Sequence, residues 1–135
     1  MAGMFALAAA RLHLSPPKPQ DWRSTVTIVK AEQDPVSTVV ISSDSQRLAF
    51  AYYYDHAAFV DYASTVTRLE ERGVLAVKNT DELATALLRR PSKLILVRAS
   101  YSHLGRETLH ERLDAAGYAL TSERSLPGVE VLVYR

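Results

Sequence analysis

The sequence predicts an α/β fold: a three-layer Rossmann-like domain with a mainly parallel sheet and an antiparallel hairpin at its C-terminal end. Segments with strand and helix patterns alternate along the chain from residue 21 onward. Strand segments such as residues 94–97 are continuous apolar runs, as expected for parallel strands buried on both faces. The last strand follows a Leu126-Pro127-Gly128 turn, which predicts the hairpin.

The first helix and the first strand are expected between residues 21 and 41. Asp21 is well placed to cap a helix. The apolar residues that follow it recur at helical spacing: Trp22, Val26 and Val29. The β-branched run of residues 25–29 would also suit a strand, but the apolar spacing favours a helix. Residues 36–41 form a β-rich run typical of a buried strand.

The middle of the chain is predicted to hold two helices. Residues 42–45 supply capping side chains before a helix of about three turns that contains the Tyr52-Tyr53-Tyr54 run. Residues 57–72 are expected to form a loop and then a short helix, which Gly73 closes.

Residues 74–97 have the pattern of a βαβ unit. The apolar runs 74–77 and 94–97 are typical of parallel strands. Between them, a helix opens at Thr80 and ends before Pro91. Its leucines are expected to face inward: Leu83, Leu87 and Leu88.

The C-terminal part is predicted as one helix and two strands. The helix runs from about residue 105 to residue 116, with Leu109 and Leu113 one turn apart on its inner face. Residues 118–124 and 129–135 are the two strands of the hairpin.

Length and composition fit a single domain. The 135 residues are expected to fold as one α/β domain over residues 21–135, preceded by the segment 1–20. The chain has 16 Lys and Arg against 15 Asp and Glu, so it offers no field that attracts nucleic acid, and no nucleic-acid partner is expected. The absence of cysteine excludes disulfides, thiolate zinc sites and cysteine nucleophiles, and leaves the compartment open.

Residues 1–20 combine an apolar start with a proline-rich spacer. The apolar run 4–10 is shorter than the ~20 residues that cross a bilayer. It suits a short helix that caps the domain, the stub of a longer membrane helix, or a secretory signal, although no Lys or Arg precedes it as a signal requires. The spacer of residues 16–19 leads to Trp22, which we expect to anchor the first helix on the sheet.

The loop after residues 94–97 is the first place to look for a ligand, because ligands of such sheets bind beyond the carboxyl ends of the strands. The candidate ligand-binding residues there are Ser100, Ser102, His103 and Arg106. Hydroxyls, an imidazole and a guanidinium at a helix N-terminus suit a small anion. In the alternative, Ser102 caps the helix while His103 and Arg106 are solvated, since the loop lacks the glycine spacing of a dinucleotide or P-loop site.

The sequence carries no motif for catalysis or metal binding. Neither Ser100 nor Ser102 lies in a Gly-x-Ser-x-Gly elbow. The four histidines show no His-Glu-x-x-His pattern. We therefore expect no catalytic residue, no metal and no cofactor in this chain.

The Tyr52-Tyr53-Tyr54 run cannot direct all three rings to one side, so at least one ring is expected at the surface. Tyr53 and Tyr54 are candidates for contact with a glycan or for a place at a membrane interface. Packing in the core with one exposed edge is the alternative interpretation.

Several of these elements together resemble one known domain. They are the run Lys-Pro-Gln-Asp-Trp-Arg at 18–23, the strand 36–41, the tyrosine run, the strand 94–97, and the runs 113–118 and 131–135. In this combination, the chain from Lys18 onward resembles the soluble C-terminal domain of GT-C-type polytopic glycosyltransferases, which include bacterial enzymes similar to dolichyl-phosphate-mannose-protein mannosyltransferases. In that family a lysine-proline-aspartate-tryptophan-arginine-like element follows the last membrane helix. Here Gln20 is inserted into the element, and residues 57–72 depart from the expected pattern.

The resemblance implies an extracytoplasmic, non-catalytic accessory domain of a membrane enzyme that transfers sugar from a polyprenyl-phosphate donor. The catalytic carboxylate of the family lies in a loop between early membrane helices, so it has no counterpart in this chain. The implied partners are the membrane-embedded part of the parent enzyme and a lipid-linked sugar or glycan acceptor. The apolar start would be the tail of the last membrane helix, and the prolines would form a juxtamembrane spacer.

Two other functions fit the sequence. The first is a free-standing, cytoplasmic Rossmann-like module that binds a small anion or nucleotide at the loop from Ser100 to Arg106. The second is a structural protein that pairs through its C-terminal strand, because a strand at a sheet edge can be extended by another chain.

Overall fold

The structure is a computed structural model that describes residues 20–42, 44–58, 61–99, 102 and 104–135. The apolar start and most of the spacer, residues 1–19, lie outside the described residues, and so do Ser100 and His103 of the predicted ligand loop. Ser102 and Arg106 are therefore the two candidate ligand-binding residues whose positions are described.

The chain has an α/β fold, as predicted, and its elements follow the predicted order. Within the described residues the α-helices are α1 (Trp22–Glu32), α2 (Arg47–Tyr54), α3 (Tyr62–Glu71), α4 (Thr80–Leu87) and α5 (Arg106–Ala115). The strands are β1 (Ser37–Ser42), β2 (Val74–Val77), β3 (Lys93–Ala99), β4 (Leu120–Leu126) and β5 (Val129–Tyr134). Short 3-10 turns at Asp44–Gln46 and His56–Ala58 flank α2.

The strands form one mixed sheet in the order β2-β1-β3-β5-β4. β1 pairs in parallel with β2 and β3, and β5 pairs antiparallel with β3 and β4, so the parallel strands and the C-terminal hairpin are both present. The expectation that the last strand lies at a sheet edge is wrong, because β5 is hydrogen-bonded on both sides and β4 forms that edge. β4 exposes Glu123 and Arg124, and charges on an edge strand discourage pairing with another chain.

The two ends of the sheet differ in what they carry. The parallel strands β1, β2 and β3 finish at one end, the carboxyl end, and begin at the other, the amino end. The turn between β4 and β5 also lies at the carboxyl end, because Val129 pairs with Ala99.

The buried side chains form two separate clusters. Successive strand residues fall into different clusters, with Val39 in the first and Val40 in the second, because side chains alternate between the faces of a sheet. Trp22, Phe50 and Leu69 bring α1, α2 and α3 to the first cluster, while Leu83 and Leu109 bring α4 and α5 to the second.

α1 is a helix, as the apolar spacing predicts, despite the β-branched run that it contains. The backbone N–H of Ser24 donates to Asp21 Oδ1 at 3.0 Å, so Asp21 caps the helix. The apolar side of the helix is buried: Trp22, Val26 and Val29. Burial of this side outweighs the β preference of individual residues.

Leu88 is the clearest departure from the predicted pattern. α4 buries Leu83 and Ala86, whereas Leu88 is 80% exposed. The prediction that Leu88 faces inward is wrong because Leu88 follows the buried Leu83 by five residues, which places it about 140° around the helix from that side chain. Arg90 then adopts a φ of 48°, a left-handed conformation that is uncommon for arginine, before Pro91 leads into β3.

The start of the domain, Gln20 and Asp21, is attached to the turn between β4 and β5. The backbone N–H of Asp21 donates to Pro127 O at 2.9 Å, and Trp22 Nε1 donates to Gln20 Oε1 at 3.0 Å. Gly128 of the turn has a φ of 70° and lies so close that an added Cβ would be 2.8 Å from Gln20 Cγ. The chain therefore joins the domain at the carboxyl end of the sheet.

Candidate functional site

The carboxyl ends of β1 and β3 form a topological switch point. β2 lies on one side of β1, and β3, which follows later in the chain, lies on the other side. Connections from the two strands leave in opposite directions at such a point, and ligands of open α/β sheets bind in the crevice between them. Ser102, one of the predicted ligand-binding residues, follows the end of β3 at this position.

Ser102 pairs with Ser42, which the sequence marks as a capping residue and not as part of the ligand site. Ser42 is the last residue of β1, is fully buried, and places its Oγ 2.6 Å from Ser102 Oγ. Ser102 Oγ also accepts from the backbone N–H of Leu104 at 3.2 Å. The alternative in which Ser102 caps the following helix is wrong, because Gly105 holds the N-cap position of α5. Ser102 instead ties the end of β1 to the segment after β3.

The serine pair can bind polar groups but is not arranged as a nucleophile. An activated serine needs a base within hydrogen-bonding distance. No carboxylate or imidazole in the described part of the chain hydrogen-bonds to Ser42 or Ser102. A serine hydroxyl donates to phosphate oxygens, and it both donates to and accepts from sugar hydroxyls. Ser42 is fully buried, so Ser102 is the member of the pair that can meet a ligand.

Arg106 belongs to a chain of alternating charges beside the switch point. Arg98 Nη1 lies 3.2 Å from Glu130 Oε1, and Arg106 Nη1 lies 3.5 Å from Glu130 Oε2. Arg106 also pairs with Glu123, and the hydrogen bond to that carboxylate raises the pKa of Arg106 above its usual value. Two guanidinium groups and two carboxylates balance in charge, so Arg106 has no surplus charge with which to attract an anion. A crevice of about 200 Å³ lies beside this cluster, lined by Arg98, Glu130 and the residues next to the β4–β5 turn.

Replacing Ser102 with alanine is expected to lower the free energy of unfolding by about 1–2 kcal/mol, because the buried Ser42 hydroxyl loses its hydrogen-bond partner. The double change Ser42→Ala and Ser102→Ala should cost less than the sum of the single changes, since no unpaired hydroxyl remains. Urea unfolding of the four proteins gives the coupling free energy as a double-mutant cycle. Strictly additive costs would show that the two hydroxyls do not interact.

The two candidate tyrosines lie in different environments. Tyr53 is 40% exposed on α2, whereas Tyr54 is 3% exposed. The Tyr54 ring stacks on Phe50 with centroids 5.0 Å apart, and its hydroxyl donates to Gln33 Oε1 at 2.6 Å. Of the pair, Tyr53 is the one whose ring is open to a glycan or an interface, and Tyr54 holds α2 against α1.

An open groove of about 1010 Å³ lies at the amino end of the sheet, opposite the serine pair. Its charged lining is mixed, with the cations Lys30, Arg72, Arg89 and Arg90 and the acids Asp34, Glu70 and Glu71. Sequence analysis does not select this groove. The sequence feature nearest to the groove is Pro91, which predicts that α4 ends before it. The left-handed backbone of Arg90 is not predicted by any pattern in the sequence.

Two further features concern metals and membranes. In the ranges that the structure describes, no three His, Asp or Glu side chains stand close enough together to hold a metal ion. None of the helices described above has the length and hydropathy needed to span a bilayer.

Comparison with known proteins identifies no relative. No protein-family model matches the chain, and no curated protein or solved structure matches it significantly. The functional assignment therefore depends on the sequence elements and on the geometry of the carboxyl end.

Proposed function

We propose that this chain is a non-catalytic accessory domain of a polytopic membrane glycosyltransferase that uses a polyprenyl-phosphate sugar donor, and that it contributes to binding of the acceptor or the glycan. The domain then lies at the extracytoplasmic face of the membrane, next to the membrane-embedded part of the parent enzyme. The resemblance of residues 18–23 and the other quoted elements to such domains is the starting point.

The observation that carries the proposal is the place where the chain joins the domain. The bond from Asp21 to Pro127 fixes the domain start at the carboxyl end of the sheet, where Ser42 and Ser102 also lie. A membrane segment before Gln20 would hold this end of the sheet toward the membrane. The serine pair would then lie on the side from which a lipid-linked sugar or its acceptor approaches.

The two-cluster core supports the finer assignment of the fold, a three-layer Rossmann-like domain. Residues of α1, α2 and α3 contribute to one cluster and residues of α4 and α5 to the other. The order β2-β1-β3 with its switch point is that of doubly wound sheets. In such a domain the loops at the carboxyl end provide the ligand contacts, which is the role proposed for Ser102.

Sugar transfer by the parent enzyme tests the proposal. Ser102→Tyr places a bulky ring after the carboxyl end of β3 and removes the serine hydroxyl. It is expected to lower the transfer rate by about tenfold, the effect of losing one or two hydrogen bonds to the acceptor. Ser92→Tyr is the matched control, because it introduces the same side chain at the exposed residue before the opposite end of β3. Thermal unfolding of both variants shows whether each retains the fold.

Deletion of residues 21–135 from the parent enzyme tests whether sugar transfer depends on the domain. If the transfer rate and the acceptor preference stay unchanged without the domain, the proposal is wrong. The coding sequence upstream of Met1 offers an independent check, since the proposal expects apolar segments of ~20 residues there.

A second candidate, the free-standing module that binds a small anion or nucleotide at the loop from Ser100 to Arg106, is favoured by the position of Ser102 at the switch point. The pairing of Arg106 with two glutamates weakens it, because the described arginine of the loop is then not free to bind an anion. Amide shifts of Ser102 and Leu104 during titration with nucleotides and inorganic phosphate separate the candidates, because the accessory domain is proposed to bind a glycan instead. Shifts support the free-standing module, and their absence at millimolar ligand excludes it.

A further inference from the structure

The outer side of α2 carries a surface of aromatic and cationic side chains that the core does not use. It is called here the tyrosine–arginine surface and consists of Arg23, Arg47, Leu48, Tyr52, Tyr53 and Tyr62. Its leucine and three tyrosines are between 37% and 54% exposed. The inner side of the same helix buries Phe50, Ala51 and Tyr54, so the outer rings are additional to those that hold the helix on the sheet.

The members of this surface contact one another. The guanidinium carbon of Arg23 lies 5.8 Å from the centroid of the Tyr53 ring, and that of Arg47 lies 5.0 Å from the centroid of the Tyr62 ring. The rings of Tyr52 and Tyr53 meet edge to face with centroids 4.9 Å apart. Arg23, Tyr53 and Tyr52 thus form one group at the start of α1 and on α2, and Arg47 and Tyr62 form a second group at the starts of α2 and α3.

The two arginines of the surface are not engaged in ion pairs within the described part of the chain. Arg72, Arg98 and Arg106 each form an ion pair, but neither Arg23 nor Arg47 does so among the described residues. Arg47 donates to a backbone carbonyl, Ala76 O, at 3.4 Å. The adjoining carboxylates of Asp21 and Asp61 accept backbone N–H groups at the starts of α1 and α3. The guanidinium groups of Arg23 and Arg47 are therefore not held by a carboxylate of the described residues, and each can bind a phosphate group beside the exposed rings.

We propose that the tyrosine–arginine surface docks on the anionic headgroup region of a lipid bilayer. Tyrosine rings are favoured at the boundary between headgroups and acyl chains, where the ring is apolar and the hydroxyl stays wet. Arginines lay their aliphatic stems along apolar surface and place the guanidinium among phosphates. Leu48, which lies on α2 one turn before Tyr52, adds an exposed aliphatic side chain.

The position of the domain start favours a membrane over a soluble partner. Arg23 lies in the first turn of α1, directly after the point where residues 1–20 join the domain, and those residues include the apolar run 4–10. A surface that begins at this point is held close to whatever anchors the preceding segment. The inference rests on the proposed function in this one respect, that the preceding segment is attached to a membrane.

Binding of the full-length chain to lipid vesicles tests the proposal. The vesicles contain either phosphatidylcholine alone or equal parts of phosphatidylcholine and phosphatidylglycerol, and co-sedimentation gives the partition constant. The double variant Arg23→Gln and Arg47→Gln is expected to bind the anionic vesicles about thirtyfold more weakly, because each basic residue near an anionic surface contributes about a factor of five. Tyr52→Ser with Tyr53→Ser is expected to weaken binding to both kinds of vesicle.

The matched control is Arg89→Gln with Arg90→Gln, which removes the same charge from exposed positions at the amino end of the sheet. All proteins in the comparison share residues 1–19, so lipid binding by the apolar run is present in each of them and cannot cause a difference between variants. Near-ultraviolet circular dichroism of each variant confirms that the fold is retained.

Three outcomes overturn the proposal. The first is that the wild-type chain shows no preference for anionic vesicles, and the second is that the control variant loses binding to the same extent as the Arg23 and Arg47 variant. The third outcome is that the tyrosine resonances shift with soluble oligosaccharide or with protein concentration instead of with vesicles. The assay contains no sugar donor or acceptor, so its result is independent of the transfer assay. Loss of vesicle preference with a domain-dependent transfer rate would overturn the docking surface and leave the accessory function intact.

Discussion

Replacing Trp22 with alanine is expected to lower the free energy of unfolding by about 3–5 kcal/mol, the usual cost of removing a large buried aromatic side chain. Trp22 is 6% exposed, and its ring lies edge-on to Phe50 with centroids 6.4 Å apart. The change also removes the hydrogen bond that Trp22 donates to Gln20. A domain has only ~5–15 kcal/mol of stability in total, so unfolding of this variant in urea, followed by circular dichroism, should begin at a much lower concentration.

Tyr62→Ala is the control for this prediction. It removes an aromatic side chain that is 54% exposed and packs against Arg47, so its cost should be about 0.5–1 kcal/mol. Trp22→Phe, which keeps an aromatic ring in the same place, should fall between the two alanine variants. A cost for Trp22→Ala no greater than that for Tyr62→Ala would show that Trp22 does not anchor α1 to the core.

Gly128→Ala is expected to lower the free energy of unfolding by about 2–3 kcal/mol, for two reasons. The φ of 70° is left-handed, and a side chain in this conformation costs roughly 1 kcal/mol. The new Cβ would also lie 2.8 Å from Gln20 Cγ and 3.2 Å from Gln20 Cα, so the turn or the domain start must move, which adds about 1–2 kcal/mol. Urea unfolding measures the cost, and faster tryptic cleavage at Arg23 reports release of the domain start.

Gly117→Ala separates the two contributions. Gly117 has a φ of 93°, and an added Cβ there would meet no atom within 4 Å. The free-energy cost of this variant therefore comes from the backbone conformation alone. Its cost should be about 1 kcal/mol, with tryptic cleavage at Arg23 unchanged. Equal costs for the two glycine variants would contradict the close attachment of Gln20 to the turn.

The buried strands are the part of the fold that the sequence predicts best. Residues 74–77 and 94–97 are apolar runs of strand length, and both lie within observed strands, because a strand covered on both faces needs an unbroken apolar run. β4 is predicted at 118–124 and observed at Leu120–Leu126. This edge strand is largely exposed and has a register shift near Leu120 and Ser122, so its sequence carries no continuous apolar signal.

The sequence predicts one of the two serines of the candidate site. Ser102 follows from the rule that ligands bind after the strands of a parallel sheet. Its partner Ser42 lies 60 residues earlier, and a serine at the end of an apolar strand has no distinctive pattern until β1 and β3 become neighbours. The sequence likewise does not distinguish Tyr53 from Tyr54, because stacking on Phe50 decides which of the two adjacent rings is buried.

The bond between Asp21 and Pro127 has a consequence for the synthesis of the protein. It joins the first helix to the hairpin that is translated last, and β3 likewise lacks one of its two neighbours until β5 has been made. Contacts between such distant parts of a chain form late and slowly. While the ribosome is still adding the hairpin, Pro127 O is not yet available to the backbone N–H of Asp21, the N-cap residue of α1. The position of the domain relative to its preceding segment is therefore set only when the last strands have left the ribosome.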